Sequence, residues 1–324
     1  TDCFLKLFSK ATTMLYWADW GWVNPKSRQR YHHTAKWLQD HEYPTRGHVL
    51  IWPSWRWLPK ATKGLENDPD ALRRMAREHI TEVVEAMKEY DLVEYDVMNE
   101  PRVNHDLMDI LGDEVMLEWW RTAEAADGRQ VLYINEYSLL TGAGHTESEQ
   151  DHYEKTSRYL LDNGAPLGGI GMQGHMSEGL TPPPRVYEII DRFAAFGLPI
   201  QITEFDIEID DEEAQADYLR DFFTIVFSHP ATDSLIQWGF WEGMHWKPRA
   251  AMFRKDWTLK PNGQAYLDLV LGEWWTDEKG MTDKDGRFVI RGFCGDYSIT
   301  IGDDAVSNTC TLSKDGASVR VERL

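Results

Sequence analysis

An α/β fold built as a parallel barrel is what this 324-residue sequence predicts. Three observations carry the expectation. Short apolar runs recur, each is followed by a segment with helical periodicity, and polar residues gather where the runs end. Such alternation implies parallel strands joined by crossover helices, and barrels of that kind reach about 250 residues or more as one unit.

The elements follow in order. The opening "DCFLKLFSK" is helix-like, and "TTMLYW" (12–17) reads as the first strand present. "HVLIW" (48–52), "LVEYDVMN" (92–99), "QVLYIN" (130–135), "GGIGMQ" (168–173), "PIQITEF" (199–205) and "SLIQWGF" (234–240) follow it as strands. That makes seven, whereas a closed (β/α)8 TIM barrel has eight strands. The expectation is therefore a TIM-type barrel lacking its first strand, in a chain truncated or processed at its N-terminus. In "NDPDALRRMAREHITEVVEAMKEY", Asp68 is placed to cap, Pro69 suits the first helical turn, and Leu72, Met75, Ile80, Val83 and Met87 form an apolar stripe. "DDEEAQADYLRDFFTIVF" opens with acids suited to the positive end of a helix and offers Leu219, Phe222, Phe223 and Val226 to a core. "KPNGQAYLDLVL" reads as the final helix.

After residue 273 the texture changes. Gly, Asp and Asn turns separate short alternating runs, "RFVIRGF", "YSITI" and "SVRVERL", which predict a small antiparallel β module. The expected division is a barrel over 1–273 and a β module over 274–324, the latter open to a Cys294–Cys310 disulfide if the protein is exported.

Composition narrows the partners. With 54 acidic against 34 basic residues the net charge is −20, so a phosphate backbone or an anionic membrane is repelled overall. No run approaches the ~20 apolar residues of a spanning helix. None of the 11 His falls in a His-x-His or His-Glu-x-x-His pattern, His32 and His33 read as surface, and no Walker or dinucleotide glycine motif occurs, so no metal or organic cofactor is expected. Tryptophan is the outlier at 15. "WADWGW" (17–22) and "WPSWRW" (52–57) are denser than core packing requires, and flat indole faces suit the C–H faces of sugars.

Barrel active sites form at the C-terminal ends of the strands. Asn99 and Glu100, Asn135 and Glu136, Gln173 and His175, Glu204 and Asp206, and Trp238 all stand there. Two carboxylates on different strands can flank a glycosidic bond, one protonating the leaving oxygen while the other attacks the anomeric carbon.

At these residues the sequence resembles glycoside hydrolase family 10, the endo-β-1,4-xylanases. "YDVMNEP" and "PIQITEFDI" are similar to that family's acid/base and nucleophile motifs. "RGHVLIWPS", "LYINEYSLL", "GIGMQGHM" and "QWGFWEGMHWKP" occur in the family's order, and the similarity runs over roughly residues 8 to 272. The resemblance implies a retaining mechanism with Glu100 as acid/base and Glu204 as nucleophile. It implies supporting roles for Asn99 and Gln173 at the sugar, for His175 held by Asp206 against Glu204, and for His48, Trp52, Tyr137, Trp238 and Trp246 around the substrate. Glu136 stands where the family commonly has Asp.

The chain also departs from the family. The pattern Glu-Asn-x-Met/Leu-Lys-Trp falls on Thr12 to Trp17, so the acid, amide and lysine that bind the glycone are replaced, and Pro53 stands where a His is usual. Tyr16, Trp17, Trp20, Trp55 and Trp57 are expected to supply aromatic surface there instead. The expected partner is a xylan or related plant or algal polysaccharide or its oligosaccharides, with a secreted, cell-surface or periplasmic location and a monomeric state. A β-glucanase-type glycosidase and a barrel that binds glycan without cutting it are the alternatives.

Overall fold

The computed structural model describes residues 2–302 and 306–321, which fall into two compact units, Thr1–Gln264 and Ala265–Leu324. In the first unit, α1 (Asp2–Leu7) leads into β1 (Ala11–Met14), α2 (Pro25–Asp40) and β2 (Thr45–His48). Next come α3 (Lys60–Lys63), α4 (Pro69–Met87), β3 (Glu94–Asn99), α5 (Asp106–Leu111), α6 (Glu114–Ala126) and β4 (Val131–Glu136). Then follow α7 (Glu147–Asp162), β5 (Gly169–Met172), β6 (His175–Met176), α8 (Pro183–Ala194), β7 (Ile200–Ile207), α9 (Glu212–Ser228), β8 (Thr232–Gln237) and, across the unit boundary, α10 (Pro261–Asp268).

The strands are parallel and run β1-β2-β3-β4-β5-β7 around the sheet, with β8 on β7. The two residues of β6 resume β5 after a break and also pair with β7. No ladder joins β8 to β1 among the described residues. The result is a nearly closed barrel of seven staves, as the count of apolar runs implied, against the eight of a closed one.

Burial follows from that arrangement. Parallel strands are covered by crossover helices on one side and barrel interior on the other, and every residue of β3 and β7 is buried. Strand β8, with one ladder neighbour, keeps only Ile236 fully inside. The capping expectation holds for α4, where the Asp68 side chain accepts from Ala71 N at 3.1 Å and Pro69 opens the helix. Its buried face is Leu72, Ala76, Ile80, Val83 and Met87, set against α6, while Met75 is only half-buried. Each of the larger ones, Leu72, Ile80, Val83 and Met87, contributes about 1.5–3 kcal/mol when fully buried. Helix α9 is capped by Asp211 and buries Leu219, Phe222, Phe223 and Val226. His32 is not a surface residue: it is half-buried, its Nδ1 2.9 Å from the Tyr90 hydroxyl.

The barrel interior carries a charged layer. Arg46 of β2 is fully buried. Its guanidinium donates to Asp96 through Nε at 3.0 Å and also through Nη2, to Glu94 at 3.1 Å and to Gln201 at 3.1 Å, and it lies over the Tyr133 ring. Gln201 donates in turn to Glu94, Tyr133 and Asp233. Removing the cation breaks a buried pair and leaves Glu94 with Lys10 at 2.8 Å and Asp96 with His48 at 2.8 Å as the remaining partners, which costs about 3–5 kcal/mol. Arg46→Met is therefore expected to lower the chemical-denaturation stability by about that amount; a loss below 1 kcal/mol would contradict the assignment of Arg46 as the charge that holds this layer.

The second unit departs from expectation. Its strands are β9 (Gly295–Ile301) and β10 (Val306–Leu312), paired antiparallel from Gly295↔Leu312 to Ile301↔Val306. "YSITI" is thus a strand, whereas "RFVIRGF" and the described part of "SVRVERL" are not. In "RFVIRGF", Phe288, Val289, Ile290 and Phe293 are exposed, Val289 by 87%. Alternation alone forms no ladder without a partner edge. Cys294 and Cys310 are free, as is Cys3, so the disulfide that the sequence left open is not formed; Cys310 lies opposite Tyr297 in the ladder.

Candidate active site

The mouth of the barrel is assembled from strand ends. Glu100 follows the last residue of β3 and has φ +55°, a left-handed conformation for a residue with a Cβ that costs about 1–2 kcal/mol. The surrounding bonds hold it there: Glu100 N donates to Asn135 O at 2.8 Å, and Asn104 N donates to Glu100 O at 3.0 Å. Glu204 sits within β7, where the pairing with β8 shifts register between Ile202 and Phe205. Between β5 and β6, Gly174 takes φ +83°, and a Cβ there would meet Ile202 Cγ2 at 2.9 Å. That break lets Gln173 and His175 both address the mouth.

One hydrogen-bonded chain joins the two carboxylates. Asn135 Nδ2 donates to Glu204 Oε1 at 2.8 Å and to Asn99 Oδ1 at 3.0 Å. Gln173 Nε2 donates to the same Asn99 oxygen at 3.3 Å and to Glu100 Oε1 at 2.8 Å. Asn104 Nδ2 donates to Glu100 Oε2 at 3.1 Å. With Asn99 Oδ1 doubly engaged, Asn99 Nδ2 is a buried donor with no hydrogen-bond partner among the described residues. Such a group is costly to leave unmade and favours a ligand that accepts from it.

Charges around Glu204 are arranged in two ranks. His175 Nε2 lies 3.1 Å from Glu204 Oε2, and His175 Nδ1 lies 3.0 Å from Asp206 Oδ2. Burial works against a charged His175, yet its bonds to Asp206 and Glu204 prevail and raise its pKa to about 9. Asp206 also accepts from Trp246 Nε1 at 2.7 Å, and Lys247 Nζ stands 3.7 Å from its other oxygen. On the far side His48 Nε2 is 3.9 Å from Glu204 Oε1, with His48 Nδ1 2.8 Å from Asp96. There too burial is outweighed, by the Glu204 charge and the bond to Asp96, and the pKa is raised.

Glu100 is shifted the opposite way from an ordinary surface acid. Burial raises its pKa and the charge of Glu204 adds to the rise, against the Gln173 hydrogen bond. Carboxylate pairs whose environments separate their protonation divide acid and base roles. Beside them Glu136 is fully buried, accepts from the backbone N–H groups of Arg102 and Tyr137, and is pushed up to about 8, chiefly by burial.

Several of the aromatic residues expected at the site lie around this cluster. Trp238 lies 5.5 Å from the His48 ring and 6.4 Å from His175. Trp246 is 59% exposed with its ring 4.9 Å from His175. Tyr137 takes a hydrogen bond from Arg102 and lies under its guanidinium. Trp52 stacks on Trp57 at 4.0 Å, and Tyr16 lies 6.0 Å from Trp52. Trp17 is a correction: it is 6% exposed and stacked on buried His79 at 4.4 Å, so it belongs to the core. Asn104 and the Arg46–Asp96 pair beneath His48 were not anticipated as site residues, nor was Asn135 as the bridge. Only the strand-end position of Asn135 offered a signal.

Comparison with known proteins places this architecture. The model of the family described as glycosyl hydrolase family 10 matches residues 27–269. The chain belongs to that family. Among curated relatives, "Anti-sigma-I factor RsgI6" of Acetivibrio thermocellus is 31% identical over 79% of this chain and 32% of its own length. "Endo-1,4-beta-xylanase 1" of Arabidopsis thaliana is 28% identical over 98% of this chain and 33% of its own. The chain thus spans about a third of the length of these curated relatives. Among solved structures, native xylanase 10B of Thermotoga maritima superposes with a TM-score of 0.67 at 25% identity, covering 77% of this chain and 80% of that one. The superposition shows that the barrel fold is shared with that xylanase.

Proposed function

We infer that this chain is a retaining, endo-xylanase-type β-1,4-glycosidase acting on xylan or a related plant or algal polysaccharide. The observation that carries the reading is the bridge Asn135–Asn99–Gln173, which ties Glu204 at one end to Glu100 at the other. Two carboxylates so tied face one ligand.

In this reading Glu204 attacks the anomeric carbon while Glu100 gives its proton to the departing oxygen, and a covalent glycosyl-enzyme forms. Glu100, now a carboxylate, takes a proton from water, which releases the sugar with its configuration kept. Glu204 is aimed by His175 and Asn135, one at each oxygen. The unpartnered Asn99 Nδ2 meets the 2-hydroxyl, a contact that strengthens as positive charge develops on the sugar. Trp238 and Trp246 wall the cleaved sugar, and Tyr137 lies on the leaving-group side.

The test is the release of reducing sugar from a panel of xylans and β-glucans, with the first product followed by proton NMR. The β-anomer is expected to appear first from a xylan. Appearance of the α-anomer would exclude the double displacement, and binding without release would favour a glycan-binding barrel.

A further inference from the structure

Beyond β1 the chain alternates, sending Leu15 and Trp17 into the core and Tyr16 toward the mouth. The Tyr16 ring meets His48 edge-on at 5.5 Å and lies 5.1 Å from Trp20 and 6.0 Å from Trp52, which stacks on Trp57. Burial keeps the phenol neutral, and the charges of Glu204 and Glu100, which reach it, act in the same direction. No hydrogen bond engages its hydroxyl among the described residues. Nor is Glu204 in need of it, since Asn135 occupies Oε1 and His175 occupies Oε2.

A neutral donor beside two acids, lacking a protein acceptor, is fitted to a ligand oxygen. We propose that Tyr16 is a further substrate-binding residue, whose hydroxyl donates to a hydroxyl of the sugar seated over Glu204 while its ring and Trp52 wall the glycone side. The inference rests on the glycosidase reading above. It gives this position, where the family pattern has a lysine, a donor without charge on a short rigid stem. Recognition is thereby concentrated on the cleaved sugar, with little reach to the next one.

Tyr16→Phe removes the hydroxyl and keeps the ring. On an aryl β-xyloside and an aryl β-xylobioside, kcat/KM is expected to fall by the same factor, about three- to tenfold, the worth of one neutral hydrogen bond. The thermal midpoint should stay unchanged, because the hydroxyl holds nothing in the protein. Undiminished kcat/KM, a loss confined to the xylobioside, or a loss matched by a lowered midpoint would each overturn the proposal. Glu204→Ala separates the two inferences. If it is inactive while Tyr16→Phe equals wild type, the Tyr16 proposal alone fails. If it is fully active, or if wild type cleaves neither glycoside, the functional reading fails and takes this proposal with it.

Discussion

Glu204→Ala is expected to lower kcat on a xylan by about 10⁴-fold or more, the scale on which removal of an enzymatic nucleophile acts. The loss should come without a matching loss of fold. Glu204 is a β7 residue 5% exposed, and taking it away also removes a charge that His175 and His48 both face. His175 would keep Asp206 at 3.0 Å, and His48 would keep Asp96 at 2.8 Å, so neither is left without a counter-charge. On the proposed reading the vacated space lies where the carboxylate would approach the anomeric carbon. Added azide is small enough to enter it and attack from the same face, so an aryl glycoside with a good leaving group should yield a glycosyl azide of inverted configuration. A variant with more than a hundredth of wild-type activity on xylan, or a rescued product of retained configuration, would remove Glu204 from the nucleophile's place.

Much of this is legible in the sequence, for physical reasons that differ by element. Strands β3 and β7 announce themselves because both faces of a barrel stave are covered, leaving continuous apolar runs that end in the polar residues of the mouth. Glu100 and Glu204 could be found there by position, whereas their bridge could not. Asn135 and Asn104 serve the site through contacts with residues 69 and 4 positions away along the chain, and no periodicity marks a hydrogen bond of that kind. The aromatic cluster after β1 misled for a simpler reason. Extended backbone sends successive side chains to opposite sides, so Tyr16 and Trp17 could not both line the cleft, and Trp17 stacks on His79 inside. In the second unit "RFVIRGF" has the alternation of a strand but forms no ladder among the described residues, while β10, "VSNTCTL", is polar and pairs with β9. Strand formation there is decided by a neighbouring edge, which composition does not encode.

Glu100→Ala should separate substrates by their leaving groups. A xylan leaves as an alkoxide unless a proton is delivered, so the variant is expected to lose about 10²- to 10⁴-fold in kcat/KM on xylan. A dinitrophenyl glycoside needs no proton to depart, and its kcat/KM should fall only a fewfold. Its kcat should fall further, because the second step has lost the base that activates water, and a burst of dinitrophenolate should precede the slow steady state. The pH profile carries the sign of the same chemistry. In the proposed mechanism Glu100 works as an acid only while protonated, so wild-type activity on xylan is expected to be lost as pH rises through its pKa, which burial and the charge of Glu204 hold above the ordinary 4.5. Replacing Glu204 by Gln removes one of those two causes, and the Glu100 carboxyl followed by carbon NMR should then titrate at lower pH than in wild type. The residual activity of Glu100→Ala on xylan should show no such alkaline limb. Equal losses on both substrates, or an alkaline limb that survives the substitution, would mean that the proton comes from another group, and buried Glu136, pushed up to about 8 and close enough for Glu100 to raise it, would be the acid to examine next.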